Sequence, residues 1–189
     1  MKYNLWGDSV LIDYFESEEF YDIVHQILNN NMKKGEGVKI SNKNGFQTPN
    51  IFHQYIHEKI LEWVATVLKK EYIFKKEFEI QLLNLWINQN KKYSYNDPHT
   101  HPESDLSGVY YLDVPKNSGD IYFKDFKKEF SSLNNFFIHR DFMSYKSIKN
   151  YKNQFLLFPS NFIHGVDINM TESPRVSVAF NIRLQNKIK

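Results

Sequence analysis

The 189-residue sequence contains no cysteine. Disulfides, thiolate zinc sites and cysteine nucleophiles are therefore excluded, and any transition metal must be held by imidazole and oxygen ligands. No apolar run approaches the roughly 20 residues that a bilayer span needs, and the opening stretch from Met1 to Asp8 does not read as a secretory signal. A cytoplasmic protein without a membrane partner is expected. An excess of one charge is also missing: 24 Lys and Arg stand against 22 Asp and Glu, a formal +2. With the lysines scattered, nothing calls for a nucleic-acid backbone as partner. There is no compositional break either, so one domain over residues 1–189 is expected, with a helical part over 1–75 and a β core over 76–189. What the chain has in quantity is aromatic side chains, 16% of residues, which suits a β-rich interior.

Two short apolar clusters, Leu5-Trp6 and Val10-Leu11-Ile12, suit a short strand ahead of a first helix. Ser17 can cap that helix, and Phe20, Ile23, Val24, Ile27 and Leu28 recur at its period until the Asn29-Asn30-Asn31 run and Gly35. Residues 41–50, with Gly45 and Pro49, read as loop. A second helix follows over about 51–70, its stripe Phe52, Ile56, Ile60, Val64, Val67 and Leu68. His25, His53 and His57 belong to these helices and read as boundary histidines. After Lys76 the period changes to two, placing Phe78, Ile80, Leu82, Asn84, Trp86 and Asn88 on one face and Leu83, Leu85 and Ile87 on the other. Further strands are expected at 106–114, 119–123, 142–148, 155–158 and 175–184, punctuated by turn-like segments. Helices followed by a run of strands give an α+β chain, mainly β, of sandwich or jelly-roll type. Residues 124–140 are the least regular, either a lid beside a site or a surface excursion.

Chemistry concentrates in Pro98-His99-Thr100-His101-Pro102-Glu103. Side chains two apart on a strand share a face, so His99 with His101, or His101 with Glu103, can chelate one ion. His164, arriving later between apolar segments, can complete a set of three. Two imidazoles and a carboxylate on one face, with other positions open, is the ligand set of a non-haem Fe(II) oxygenase. Arg175 and Ser177 share a face of the last strand. An arginine inside a β-barrel is costly unless it meets an anion, and its planar fork matches a carboxylate. The same arginine in a structural salt bridge is the alternative. Tyr111 can offer a phenol to the same anion.

In order along the chain stand His-x-His-Pro at His99–Pro102, Ser-Gly-Val-Tyr-Tyr-Leu at Ser107–Leu112, Ser-Gly-Asp-Ile-Tyr-Phe at Ser118–Phe123, Leu-Leu-Phe-Pro-Ser at Leu156–Ser160, His164, and Arg-Val-Ser-Val-Ala-Phe-Asn at Arg175–Asn181. This series resembles the 2-oxoglutarate- and Fe(II)-dependent oxygenases of bacteria and their phages, over roughly Leu82 to Leu184. The resemblance implies a double-stranded β-helix, a cupin-like jelly roll with the N-terminal helices packed on it. It implies Fe(II) held by histidines at the open end, and 2-oxoglutarate as co-substrate, its distal carboxylate on Arg175 with Ser177 and Tyr111 as helpers. A prime substrate, a protein side chain or a small molecule, is then oxidised, usually hydroxylated, while 2-oxoglutarate becomes succinate and CO2. Trp86, Tyr110, Phe158 and Phe180 are expected pocket walls. Asn84 and Asn88 either hydrogen-bond the ligands or satisfy polar groups inside the barrel.

One departure stands out. The wider superfamily has an acidic residue two positions after its first histidine, where His101 follows His99 and Thr100. If His99 comes first, the ligands are His99, His101 and His164. If His101 comes first, Glu103 restores two histidines and a carboxylate. The His-x-His-Pro pattern favours the former. Other readings of the same residues are a non-catalytic metal- or ligand-binding jelly roll and a cupin-like isomerase or hydrolase, the latter with no use for Arg175 and Ser177. Neither substrate identity nor oligomeric state follows from the sequence.

Overall fold

The computed structural model of the chain describes residues 2–5, 8–124 and 145–186. Trp6 and the irregular stretch after Lys124, with the lid reading attached to it, lie outside the described residues. Strands β1 (Lys2–Leu5) and β2 (Asp8–Tyr14) open the fold, followed by helix α1 (Glu18–Lys34), the two-residue strands β3 (Asn42–Lys43) and β4 (Phe46–Gln47), and helix α2 (Gln54–Glu71). Then come β5 (Phe78–Asn90), β6 (Tyr95–His99), β7 (Leu106–Asp113), β8 (Ile121–Lys124), β9 (Tyr145–Ile148), β10 (Gln154–Pro159), β11 (Ile163–Val166) and β12 (Arg175–Asn186).

The strands make two antiparallel sheets. Seven run in the order β1-β2-β10-β7-β12-β5-β4 and five in the order β3-β6-β11-β8-β9. One apolar cluster lies between the helices and the larger sheet, where Phe20, Val24, Ile60, Trp63 and Val64 meet Tyr110, Phe155, Val178 and Phe180. A second lies between the sheets, where Tyr111, Leu156 and Phe158 meet Ile121, Phe123 and Ile148. Two facing sheets with helices on the outside of the larger one is the expected double-stranded β-helix.

Local chemistry explains the helix ends. The Ser17 hydroxyl accepts the Phe20 N–H at 3.2 Å, Glu18 and Glu19 meet the positive end of the dipole, and Gly35 closes the helix at φ 71°. The asparagine run is simply the last turns of α1. In α2 the stripe holds from Ile56 to Leu68, with Trp63 added to it. Phe52 departs from the expectation: it precedes the helix and is 82% exposed.

The alternation expected for β5 breaks at Leu83. Asn181 of β12 pairs with Asn84, but Ile182 pairs with Leu82, so Leu83 is an extra residue, a β-bulge. The bulge reverses the faces behind it. Phe78, Ile80 and Leu82 therefore join Leu85 and Ile87 against the helices, and only Asn84, Trp86 and Asn88 of the expected group face the interior. The stretch read as loop, 41–50, contributes β3 and β4, one to each sheet. The three helix-associated histidines lie outside the barrel interior: His25 meets Asp113 at the end of β7 at 2.9 Å, His53 precedes α2, and His57 bonds the Ile51 carbonyl at 2.8 Å.

Candidate metal centre

β6 and β11 pair so that His99 and His164 stand directly opposite each other. His99 is the last residue of β6, and the chain then leaves the sheet, which releases His101 from strand geometry. His101 is instead fixed by its main chain: its N–H donates to the Ser160 carbonyl at 2.9 Å, and its carbonyl accepts from the Ser104 hydroxyl at 3.0 Å. The three imidazoles converge. Ring centroids lie 4.4 Å apart for His99 and His164, 5.0 Å for His99 and His101, and 5.2 Å for His101 and His164. One nitrogen of each falls within 4.8 Å of the others, close enough to hold an ion. Glu103 does not join them. It sits exposed on the turn beyond His101 and belongs to no such group among the described residues.

Second contacts settle which nitrogens are available. Nδ1 of His99 bonds the Asp97 carbonyl at 2.7 Å, and Nδ1 of His164 bonds the Phe162 carbonyl at 2.9 Å. A carbonyl only accepts, so both Nδ1 atoms carry the proton and both Nε2 lone pairs are free for a metal. Burial keeps the rings neutral. It pulls His99 down, takes His101 to about 4 with help from His99, and holds His164 well below the ordinary histidine range. Three neutral imidazoles with free lone pairs are a set that fits a first-row metal ion.

Deeper in the barrel, Arg175 of β12 is 2% exposed. One guanidinium nitrogen donates to the Ser118 and Gly119 carbonyls at 2.7 and 2.6 Å, and Nε has no partner among the described residues. No described carboxylate forms an ion pair with it, which removes the salt-bridge alternative within that part of the chain. Burial lowers its pKa, opposed by Tyr111, Asp120 and Asp167, and the group stays charged. Gly119 makes this anchor possible. Its φ is 86°, and a Cβ there would meet the Asp167 carbonyl at 2.0 Å and the guanidinium at 3.1 Å. A buried, half-satisfied guanidinium lining the same cavity as the histidine cluster fits an anionic ligand.

A narrow cavity joins the two features. It is lined by His99, His101 and His164 and by Arg175, Ser177 and Tyr111, together with Trp86, Asn88 and Phe158. Burial raises the Tyr111 phenol, partly offset by the Arg175 charge and a hydrogen bond from Asn150. Phe158 packs on His164 at 4.8 Å, and Trp86 lies 5.8 Å from His101. Asn84 lines the outer mouth rather than this cavity, its Oδ1 accepting from Asn181 at 2.7 Å.

Two expected walls are elsewhere. Tyr110 points to the helices, where it packs on Phe20 and Trp63 and donates to the Phe15 carbonyl at 2.8 Å. Phe180 stacks on Phe155 in the same cluster. Both follow from strand alternation: neighbours of Tyr111 and of Ala179 must face away from the cavity.

Asn88 satisfies a polar group inside the barrel, one of its two expected roles, in a buried amide network whose other members went unread in the sequence. Asn42 donates to Asn88 and Asn90 at 3.4 and 3.3 Å, Asn90 to Asn96 at 3.1 Å, and Asn96 to Ser41 at 3.2 Å. It ties β5 to β3 and β6, and so fixes the strand carrying His99. The signal was available in Asn88 and Asn90, two apart on the face of Trp86.

Residues 84–181 match the model of the family described as "Putative 2OG-Fe(II) oxygenase". No curated protein matches the sequence. Among solved structures, the 2-oxoglutarate complex of viral collagen prolyl hydroxylase from Paramecium bursaria Chlorella virus-1 superposes at a TM-score of 0.57 and 14% identity, over 92% of this chain and 94% of that one. A prolyl-4-hydroxylase from Pseudomonas putida gives 0.58 at 9% identity, over 95% and 93%. HygX from Streptomyces hygroscopicus, with nickel, 2-oxoglutarate and hygromycin B bound, gives 0.59 at 13% identity, over 92% and 82%. At such identities the likeness speaks to the fold, and all three share it. The family match spans just over half of the 189 residues, and with the histidine cluster it identifies the chain as a member of the 2OG-Fe(II) oxygenases, enzymes that use Fe(II) and 2-oxoglutarate.

Proposed function

We propose that His99, His101 and His164 hold the Fe(II) of this oxygenase through Nε2, and that Arg175 binds the distal carboxylate of 2-oxoglutarate. The observation that carries the reading is the pairing of three neutral imidazoles with a buried guanidinium whose Nε lacks a partner among the described residues, all lining one cavity. Ser177 and Tyr111 flank Arg175 and can donate hydrogen bonds to the same carboxylate. The Nδ1 bonds of His99 and His164 hold their rings in the ligating tautomer. Trp86 and Phe158 screen the ligand end from water, which strengthens every charge interaction inside.

When bound, Fe(II) supplies the activation of O2. Overall, one oxygen atom enters a C–H bond of the prime substrate and the other enters succinate, while 2-oxoglutarate loses CO2 and provides two electrons. Hydroxylation is the expected outcome, on a protein side chain or a small molecule. Because the three ligands are neutral, they cancel none of the metal charge. The dianionic co-substrate does so, and metal and 2-oxoglutarate should bind cooperatively.

An anaerobic titration tests this. Fe(II) and 2-oxoglutarate together should produce a weak visible charge-transfer band, lost in His164→Ala and shifted to much higher 2-oxoglutarate concentration in Arg175→Met. A band indifferent to both changes overturns the assignment. Metal uptake without succinate release, across all substrates tried, would instead support the non-catalytic jelly roll.

A further inference from the structure

The outer mouth of the site has a chemistry of its own. Beyond the ligand histidines, a cavity of about 450 Å³ is bounded by Val38, Ile40, Pro49, Asn50, Asn84 and Trp86, among others. Among the described residues no Lys, Arg, Asp or Glu lines it, in a chain where 24% of residues are charged. An ammonium, carboxylate or phosphate entering here would lose its water without gaining a partner. What the walls offer is apolar surface and amide donors. Asn84 Oδ1 is occupied by Asn181, and Asn50 Oδ1 by the Leu85 N–H at 2.8 Å. Among the described residues the Nδ2 group of each has no partner, which leaves it to meet a carbonyl oxygen.

The rim adds a main-chain edge. Val38 N–H bonds the Gln47 carbonyl, and the Ser41 carbonyl accepts from Asp97. Between these two anchors, the N–H and C=O of Lys39 and Ile40 have no partner among the described residues, and Ile40 is 69% exposed. Ile40 sits in a bend, and these groups can take the C=O and N–H of a peptide main chain. A further cavity of about 430 Å³ shares Asn84, Thr100, His101 and Asn181 with the first and carries Glu103 and Arg183 beyond them. A ligand filling both must cross the ridge at His101.

Resting on the oxygenase reading above, we infer that the prime substrate is a peptide segment bound extended across this mouth, uncharged where it lies between Ile40 and His101. Its carbonyls meet Asn50 and Asn84, and an apolar side chain packs between Ile40 and Trp86. The charged pair at the far end tolerates a polar continuation. The C–H bond presented over the histidines is the one oxidised.

The test uses the full chain loaded with Fe(II), 2-oxoglutarate and O2. Probes are an arrayed library of short capped peptides of uncharged residues, the same peptides with a central Lys or Glu, and a panel of neutral oligosaccharides. Uncharged peptides should raise succinate release about ten-fold or more over the peptide-free rate and gain the mass of one oxygen atom, and a central charge should cut this by about ten-fold. Ile40→Glu should raise the peptide KM by about ten-fold with kcat held. Lys69→Glu, away from the mouth on α2, should change neither. Stimulation by oligosaccharides alone, or equal use of charged peptides, overturns the inference. So does a peptide-free rate that no peptide raises, and that result leaves the oxygenase reading standing. If succinate never forms, the oxygenase reading itself fails and the inference goes with it.

Discussion

The two faces of the larger sheet are built from the same strands and do opposite work. On β7 and β12, Tyr110, Leu112, Val176, Val178, Phe180 and Ile182 face the helices. Ser107, Tyr111, Arg175, Ser177 and Asn181, alternating with residues of that face, face the interior. The first face is apolar and close-packed: Gly108 leaves no room for a Cβ, which would meet the Phe180 ring at 2.1 Å. The second is polar and only partly satisfied, down to an arginine nitrogen with no partner among the described residues. Burying such groups is unfavourable. The helix-facing layer can offset that cost because alternation delivers both faces from one strand, and the interior is thereby free to keep groups whose partners arrive only with ligands.

If that division is real, substitutions on the two faces should separate cleanly. His164→Ala should have the largest effect, taking succinate release and Fe(II) uptake to background while the melting temperature of the metal-free protein hardly falls. Phe180→Ala should do the reverse. It should cost about 3–5 kcal/mol of stability by opening a cavity under the helices, visible as a lower denaturant midpoint, with kcat per folded molecule retained. Equal losses of stability in the two variants would break the comparison.

Arg175→Met sharpens it. Removing a buried charge that pairs with no described carboxylate should leave stability unchanged or raise it. The 2-oxoglutarate dissociation constant, measured calorimetrically with a metal stand-in, should meanwhile rise on the order of 100-fold. A marked loss of stability would mean that the Ser118 and Gly119 contacts make Arg175 a structural strut.

Much of this division was legible in the sequence because alternation is a local property. Arg175 with Ser177, and Trp86 with Asn84 and Asn88, share faces by spacing alone. His99, His101 and His164 could be grouped because few other histidines stand near strands. What escaped had no local signature. Leu83 is an ordinary strand residue, and only its missing partner across β12 reveals the bulge that turns Phe78, Ile80 and Leu82 to the helices. β3 and β4, at two residues each, are too short to show a period. Assigning both Tyr110 and Tyr111 to the pocket set pocket chemistry above alternation, and two adjacent strand residues cannot face one cavity. Glu103 stands outside the histidine cluster because the chain turns after His99, so the i, i+2 rule no longer carries beyond the strand.

The inner face should also confer a pH dependence on the metal-free protein. His99, His101 and His164 are all held below the usual histidine value of about 6.5. The unfolded chain therefore binds more protons than the folded one as pH falls below that value, and stability drops with pH, for His101 until about 4. Thermal melts from pH 7 to pH 4 should show this decline. His101→Asn should flatten part of it, and a slope unchanged by that substitution would move its origin elsewhere.

The smallest effects make the sharpest comparison, because Tyr110 and Tyr111 are neighbours and lose the same atom on change to Phe. The Tyr110 hydroxyl donates to the Phe15 carbonyl at 2.8 Å, with Asn153 Oδ1 3.1 Å away, tying β7 to the segment that leads into α1. Burial has pushed its pKa up to about 12, so it is a neutral donor at any ordinary pH. Tyr110→Phe should then cost about 1 kcal/mol of stability and leave the 2-oxoglutarate KM alone. Tyr111 is as deeply buried but lines the cavity from the strand next to Arg175, opposite Ser177. Tyr111→Phe should raise the 2-oxoglutarate KM by about ten-fold, the worth of one hydrogen bond to a charged group, with little change in the melting temperature. Identical responses in both variants would mean that the phenols serve packing alone, and that the co-substrate carboxylate is held by Arg175 and Ser177 without Tyr111.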